Sequence, residues 1–208
     1  MRLSLVHKVK NKFIFTPANL LRRTRQYIVA IALLGLIAGS CTPGKKAVDF
    51  KLTDRDGKTV TMDSLKEKVV VLVFSYAYCS VRCPVVTARL YSLDLALEAQ
   101  KDVVYLHVSV DPEMDTAERR RHYFELYRLD AEKDRRWMFV AGEKDELEKL
   151  WKFYGVTASR VEVKEIPEGY YMEYTQKMAV IDKQGFIRYE TDYNYSEDEV
   201  VKKIKELI

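Results

Sequence analysis

Apolar residues follow two kinds of pattern along residues 47–208, and the two patterns alternate. Continuous apolar runs predict three strands buried on both faces of a sheet, at residues 69–74, 103–110 and 137–140. After each run, apolar residues recur at helical spacing, over residues 84–99, 116–127 and 143–154. Strands that alternate with helices in this way predict a parallel sheet with helices packed against it.

Two turn sequences predict antiparallel hairpins outside this parallel core. They are Asp54-Arg55-Asp56-Gly57 and Asp182-Lys183-Gln184-Gly185, and each separates two apolar segments. The segments are residues 50–52 and 60–62 for the first turn, and residues 170–181 and 186–189 for the second. A closing helix is predicted over residues 196–208, with Ser196 as its N-cap and Glu199 as its capping-box partner.

The first 40 residues differ in composition from the rest of the chain. They contain seven basic residues and no acidic ones, and residues 27–39 are apolar and uncharged. Basic residues before a short apolar run are typical of an export signal. The small residues that precede Cys41 resemble a bacterial lipoprotein signal, in which the cysteine is acylated and becomes the N-terminus. The alternative is an uncleaved membrane anchor, and either one tethers the domain on the periplasmic side of the membrane.

The remaining residues have the composition of one folded domain. When the seven basic residues of the first 40 positions are set aside, residues 41–208 contain 28 basic and 31 acidic residues and carry a net charge of −3. This mildly acidic balance argues against nucleic-acid binding. We therefore assign residues 1–40 to a signal peptide or anchor, residues 41–46 to a linker and residues 47–208 to the domain.

The strongest chemical signal is Cys79-Ser80-Val81-Arg82-Cys83-Pro84, which follows the first buried strand. Helix-end amides and Arg82 should favour the thiolate forms of Cys79 and Cys83. Four residues at a helical rise span about 6 Å, a Cα separation that a disulfide tolerates. The same two sulfurs can bind a soft metal ion. Because Pro84 disfavours helical geometry at the residue before it, we expect the helix to begin at Pro84.

The position of these thiols completes the fold prediction. With Cys41 belonging to the N-terminal export signal and not to the domain, Cys79 and Cys83 form the cysteine pair of the domain. In an oxidising compartment such a pair forms a disulfide unless it is reduced or bound to a metal. Thiols after the first core strand of an alternating α/β chain indicate a thioredoxin-like three-layer fold. Its central mixed sheet would carry an N-terminal hairpin and a late antiparallel hairpin.

Four stretches together resemble the Sco/SenC family of thioredoxin-fold proteins. They are the cysteine run above, Val108-Ser109-Val110-Asp111-Pro112, and residues 137–155 and 179–185. The resemblance implies a membrane-anchored protein that assists assembly of the copper centre of cytochrome c oxidase. Its partner would be the copper-binding subunit of that oxidase or another thiol or copper protein. The resemblance also implies copper binding, Cys79 and Cys83 as the functional sulfurs, and Asp111 close to them.

One departure from the family pattern concerns the third copper ligand. The family places a histidine upstream of the last hairpin turn, and counting back from Asp182 gives Tyr174 at that position. A phenol has a pKa of about 10 and is a poor ligand for cuprous ion. The histidines of this chain do not replace the ligand. His7 lies in the leader, His107 inside a buried strand and His122 on a charged helix.

Strand alternation offers one substitute donor. If residues 170–181 form one strand, then Met172, Tyr174, Gln176 and Met178 share a face. The soft thioether of Met172 suits cuprous ion, although a packing role beside Tyr171 is the alternative. Tyr174 is expected to pack with its hydroxyl near the thiols.

Three functions follow from these residues. The first is thiol–disulfide exchange, with Cys79 as the attacking thiolate and Cys83 as the resolving one. The second is a non-enzymatic cuprous carrier that uses Cys79, Cys83 and Met172. The third is a peroxiredoxin-like peroxidase, which is disfavoured because Tyr76 replaces the expected threonine and no proline precedes Cys79. The arginine-rich helix at residues 116–127 is either a partner-docking surface or a solvated face.

Overall fold

A computed structural model describes residues 44–78, 82–129, 135–166, 169–192 and 194–208. Its strands are β1 (Leu52–Thr53), β2 (Thr59–Val60), β3 (Val69–Ser75), β4 (Val103–Ser109), β5 (Trp137–Val140), β6 (Ala158–Glu162), β7 (Tyr170–Tyr174), β8 (Lys177–Ile181) and β9 (Ile187–Asp192). Its helices are α1 (Arg82–Ala96), α2 (Ala117–Leu126), α3 (Lys144–Tyr154) and α4 (Glu197–Lys205), with a 3-10 helix at Asp63–Leu65. The predicted leader and Cys41 lie outside the described residues.

The central sheet has five strands in the order β5-β4-β3-β8-β9. Strands β3, β4 and β5 are parallel, whereas β8 runs antiparallel to β3 and β9 runs antiparallel to β8. Strands β1 and β2 form the separate N-terminal hairpin. This arrangement confirms the predicted α/β class, with a mixed central sheet and two hairpins.

Strands β3 and β4 form the centre of the hydrophobic core, and every residue in both is buried. Their register pairs Ser75 with Ser109 at the carboxyl ends. The loops that follow these two strands therefore start side by side at one edge of the sheet. In open α/β sheets this edge is where functional groups are usually placed.

Helix α1 begins at Arg82, two residues before the predicted start at Pro84. Cys83 therefore lies in the first helical turn and not on the preceding loop. The first four N–H groups of a helix have no intrahelical acceptor, so the missing N–H of Pro84 removes no helical hydrogen bond. The bias of a residue before proline toward extended backbone is overridden at this helix start.

Residues 170–181 form two strands, which corrects the prediction of a single one. Strand β7 pairs with β6 in a separate two-stranded ribbon, and β8 joins the central sheet. The break lies at Thr175, whose N–H donates to the Thr157 carbonyl at 2.9 Å. Strand β6 was not predicted because its residues are largely polar and none is buried, so it lacks an apolar signal.

Helix α4 has Ser196 at its N-cap position as predicted, but the predicted capping box with Glu199 is wrong. The Ser196 side chain makes no capping hydrogen bond. Acidic residues in the first turn complement the helix dipole instead. Within the described part of the chain, no helix has the length and apolar character needed to cross a bilayer.

Gly155 ends α3 in the left-handed conformation, with φ 67° and ψ 32°. A Cβ costs about 1–2 kcal/mol in this conformation, so we expect Gly155→Ala to lower the free energy of unfolding by about that amount. Urea denaturation measures the change. Gly155→Asn is the matched variant and should cost less, because asparagine tolerates the left-handed region. Equal costs for alanine and asparagine would contradict this explanation.

Candidate functional site

Of the predicted site cysteines, Cys83 lies among the described residues, and Cys79 and Cys41 lie outside them. Cys83 is the second residue of α1, is fully buried and has its sulfur in a disulfide bond. The chain has three cysteines. An intramolecular partner for Cys83 is therefore either Cys79 or Cys41.

Tyr174 lies beside the Cys83 sulfur, with its hydroxyl oxygen 3.7 Å from Cys83 Sγ. Because a disulfide sulfur carries no proton, the tyrosine hydroxyl is the donor. The Tyr174 side chain is buried, and its ring packs edge-on against Tyr76 at a centroid distance of 6.1 Å. The structure thus brings Tyr174, the residue that counting back from Asp182 selected, close to one of the predicted sulfurs.

Met172 lies two residues before Tyr174 in β7, opposite Arg160 of β6. Alternation places it on the same face as Tyr174, and it is partly buried against the core. The prediction that four residues of one strand share this face is wrong, however, because the strand ends at Tyr174. Met178 belongs to β8, where it pairs with Val73 of the central sheet.

Asp111 is buried just beyond the end of β4, at the same edge of the sheet as the cysteine loop. Its Oδ2 accepts a hydrogen bond from the Tyr170 hydroxyl at 2.8 Å. Burial raises the pKa of Asp111, and the hydrogen bond from Tyr170 opposes part of that rise. The carboxylate therefore connects β4 to the β6–β7 ribbon that carries Met172 and Tyr174.

Asp115 is a second buried carboxylate at this edge, and the sequence analysis missed it. Its Oδ1 accepts the Ala77 N–H at 2.7 Å, and its Oδ2 accepts the Ser109 hydroxyl at 2.5 Å. Burial raises the pKa of Asp115 to about 7, and the negative charge of Asp111 adds to the rise. Its position after a buried strand and directly before the N-cap Thr116 is the sequence signal that could have identified it.

His107 and His122 occupy the places that the sequence predicts, and His7 lies outside the described residues. His107 is fully buried in β4, with Nδ1 3.0 Å from the Ser75 hydroxyl, and burial lowers its pKa to about 3. His122 is exposed on α2, with Nδ1 3.7 Å from a carboxylate oxygen of Glu125. Among the described residues, no group of three or more His, Cys, Asp or Glu side chains could hold a metal ion.

Helix α2 is not a uniformly solvated face, which corrects one of the two predicted interpretations of its arginines. Arg120 is buried and donates to the carbonyl oxygens of Asp115 and Asp54, both at 2.8 Å. Arg121 donates to the Arg55 carbonyl, and the Arg119 guanidinium lies 5.3 Å from the Tyr78 ring centroid. These contacts tie the helix to the N-terminal hairpin and to the residues before Cys79.

The chain is similar to known proteins over most of its length. Residues 40–208 match the SCO1/SenC family model. A SCO1 protein homologue from Bacillus subtilis is 32% identical over 103 residues, covering 49% of this chain and 52% of that protein. The mitochondrial protein SCO2 of Saccharomyces cerevisiae is 26% identical over 161 residues, covering 76% and 52% respectively. The chain thus spans about half the length of these curated relatives.

A solved structure resembles the described fold. The structure of Bradyrhizobium japonicum ScoI with copper bound superposes with a TM-score of 0.65 and is 26% identical. The match covers 78% of this chain and 99% of that one. This likeness confirms the thioredoxin-like fold class that was predicted from the sequence.

Proposed function

The chain belongs to the SCO1/SenC family, and we propose on that premise that it assists assembly of the copper centre of cytochrome c oxidase by thiol–disulfide exchange. In this proposal Cys79 and Cys83 form a reversible disulfide and also bind copper as cargo. The observation that carries the proposal is the Cys83 disulfide at the start of α1, beside the Tyr174 hydroxyl.

The burial of Cys83 supports its assignment as the resolving thiol. A fully buried sulfur does not meet a partner protein, whereas it can attack a mixed disulfide formed by its neighbour. In the first step the Cys79 thiolate attacks a partner disulfide, and one partner sulfur leaves as a thiolate. In the second step the Cys83 thiolate attacks Cys79 Sγ and releases the second partner sulfur. Two electrons pass to the partner, which also gains two protons.

Two groups near Cys83 would stabilise a negative sulfur, against the cost of burying its charge. The N-terminal end of α1 carries the partial positive charge of the helix dipole, which stabilises a negative sulfur. The Tyr174 hydroxyl, at 3.7 Å, can donate to the same sulfur when the disulfide is open. Both effects raise the fraction of Cys83 that is present as the thiolate, the form that attacks in the second step.

The side chains around Cys83 suit thiol–disulfide exchange better than they suit the binding of cuprous ion. Two thiolates and one neutral soft donor suit a monovalent soft cation. The side chain of β7 that contacts Cys83 is the phenol of Tyr174, and a phenol is a hard donor that suits cuprous ion poorly. Copper carriage with Met172 as the third donor is therefore the second candidate function. It is supported by the position of Met172 on the same face of β7.

We place the domain outside the cytoplasmic membrane, tethered through residues 1–40 or through a lipid on Cys41. The basic residues followed by a short apolar run support this placement. An oxidising compartment also agrees with a disulfide at Cys83. Mass spectrometry of the membrane-extracted protein tests the tether. A diacylglyceryl-cysteine at position 41 identifies a lipid anchor, and an intact residue 1–40 segment identifies an uncleaved one.

Equilibration with a dithiol buffer tests the exchange. The full chain is incubated with mixtures of reduced and oxidised dithiothreitol, and free thiols are alkylated and counted by mass spectrometry. We expect Cys79 and Cys83 to change together in one two-electron transition. A Cys83 that stays oxidised at every buffer ratio, or that titrates without Cys79, would show that the pair is not a reversible couple.

Met172→Ala separates copper carriage from exchange. If the thioether is a ligand, we expect the variant to bind cuprous ion about tenfold or more weakly, because loss of a direct ligand costs at least as much as loss of an outer-shell contact. Titration of the reduced chain against a coloured cuprous chelator measures the affinity. Met138→Ala, at another partly buried methionine, is the matched control and should leave the affinity unchanged. An unchanged affinity in Met172→Ala would exclude the thioether as a ligand.

A further inference from the structure

The Asp115 carboxylate bridges the two loops that leave the centre of the sheet. One oxygen accepts the N–H of Ala77, which lies in the loop after β3, two residues before Cys79. The other oxygen accepts the hydroxyl of Ser109, the last residue of β4. Asp115 is only 2% exposed, so water does not compete for these two hydrogen bonds.

The backbone of Asp115 is itself fixed from both sides. Its N–H donates to the Asp111 carbonyl at 2.9 Å, and its carbonyl accepts from Arg120 Nη1 at 2.8 Å. The next residue, Thr116, caps helix α2 through its side chain. The carboxylate that meets Ala77 is therefore held by a strand end and a helix start. These elements position a group more accurately than a free loop does.

We propose that Asp115 is a positioning residue for the thiol site. By fixing the backbone at Ala77, it stabilises the disulfide between Cys83 and Cys79 relative to the dithiol form. This inference rests on the proposed function, because it assumes that Cys79 is the partner of Cys83.

The physical reason is the effective concentration of one thiol at the other. A restrained chain before Cys79 keeps its sulfur close to Cys83 after reduction, so that the disulfide closes readily. Removal of the restraint lowers that effective concentration and shifts the equilibrium toward the dithiol. The reductant is an external dithiol, which gives two electrons and two protons to the protein sulfurs and becomes a cyclic disulfide.

The environment of Asp115 supports a functional role. Burial raises the pKa of its carboxyl to about 7, so the fold keeps a partly ionised acid in a site where an apolar residue would be easier to bury. Perturbed carboxyl groups of this kind cluster at functional sites. The hydrogen bond from the Ala77 N–H identifies the backbone segment that this carboxylate restrains.

Three variants of the full chain, solubilised in detergent, test the inference in dithiothreitol redox buffers. Asp115→Ala removes the acceptor of the Ala77 N–H and should shift the equilibrium constant toward the dithiol by about tenfold. Asp115→Asn keeps an acceptor oxygen and should shift it by about twofold or less. If Asp115→Ala does not fold, then Asp115→Ser, whose hydroxyl is too short to reach Ala77, replaces it.

Asp182→Ala is the matched control. Asp182 is 5% exposed and accepts two backbone N–H groups, from Gln184 and Phe186, both at 2.9 Å. It follows Ile181, which pairs with Val70. Asp182 therefore lies about 17 Å, measured along β3, from the carboxyl end of that strand, which leads to Cys79. This variant loses two backbone hydrogen bonds and also the ion pair with Arg188 Nε at 2.5 Å, and it should still leave the equilibrium constant unchanged.

The outcomes separate the positioning role from the proposed function. An equilibrium constant for Asp115→Ala equal to that of the unmodified chain would overturn the positioning role. The same shift in Asp182→Ala as in Asp115→Ala would also overturn it, because general destabilisation would then explain both. A lack of any reversible Cys79–Cys83 couple in the unmodified chain would overturn the proposed function and this inference with it.

Discussion

Replacement of Cys83 by serine is expected to abolish reversible disulfide formation in the domain. A serine hydroxyl cannot form a bond to the Cys79 sulfur, so the gain and loss of two hydrogens on reduction and oxidation should disappear. Cuprous affinity should fall by about 100-fold or more, because a direct ligand is worth at least as much as the outer-shell partners that cost up to that factor. Intact-protein mass spectrometry and competitive cuprous titration measure the two effects.

Two further variants control for other causes. Cys83 is fully buried beside the Tyr174 hydroxyl, so Cys83→Ala tests whether the buried serine hydroxyl, rather than the lost sulfur, causes the effect. Cys41→Ser removes the third cysteine and should leave both readouts unchanged. If Cys83→Ser still shows the two-hydrogen mass change, Cys79 pairs with another sulfur and the assignment of the site is wrong.

Stability between pH 4 and pH 8 is expected to depend strongly on Asp115. Its pKa is about 7 in the folded protein and about 3.8 in the unfolded chain. Between these values the folded protein binds more protons than the unfolded chain, so the free energy of unfolding falls as the pH rises. The contribution of Asp115 is greatest below pH 3.8 and has been lost above pH 7. A shift of this size corresponds to about 4 kcal/mol.

The groups around Asp115 determine how this effect must be measured. Asp111 raises the pKa of Asp115, and Arg120 and the hydrogen bonds from Ser109 and Ala77 lower it. His107 acts in the opposite direction, because its pKa of about 3 makes the fold lose stability as the pH falls below about 6.5. A pH profile of the unmodified chain alone therefore mixes two opposite slopes.

Asp115→Asn isolates the carboxyl, because His107 is present in both proteins. Residues 43–208 form a compact unit, and their urea denaturation at several pH values gives the free energy of unfolding. We expect the stability of the unmodified protein relative to Asp115→Asn to fall from pH 4 to pH 7 and then to level off. A difference that stays constant over this range, or that rises, would contradict the raised pKa of Asp115.

The regular elements were predictable where their residues are buried. Strand β5 has the predicted bounds, and β3 and β4 each differ from prediction by one residue, because continuous apolar runs mark strands covered on both faces. Strand β6 lies at the surface and follows no apolar pattern, so no local signal identified it. The break after Tyr174 also depends on the pairing of β8 with β3, which lies far earlier in the chain, and periodicity alone does not show that pairing.

The candidate site was predictable in part. Counting back from the Asp182 turn identified Tyr174, whose hydroxyl lies beside the Cys83 sulfur, because few residues separate Tyr174 from that turn. Asp115 and Arg120 were missed, because their roles arise from contacts between loops that the sequence does not specify. In a segment rich in charged residues, the sequence pattern does not distinguish a buried acidic or basic side chain from a solvated one.

Identification of the disulfide partner of Cys83 by peptide mapping tests the central claim most directly. Trypsin cleaves after Lys68, Arg82 and Arg89, so Cys79 and Cys83 fall in separate peptides, residues 69–82 and 83–89. In the oxidised chain we expect these two peptides to be joined, to separate with the gain of two hydrogens under mild dithiol, and to rejoin on reoxidation. A 83–89 peptide joined to the peptide that contains Cys41, or one that cannot be released by dithiol, would contradict a reversible Cys79–Cys83 couple.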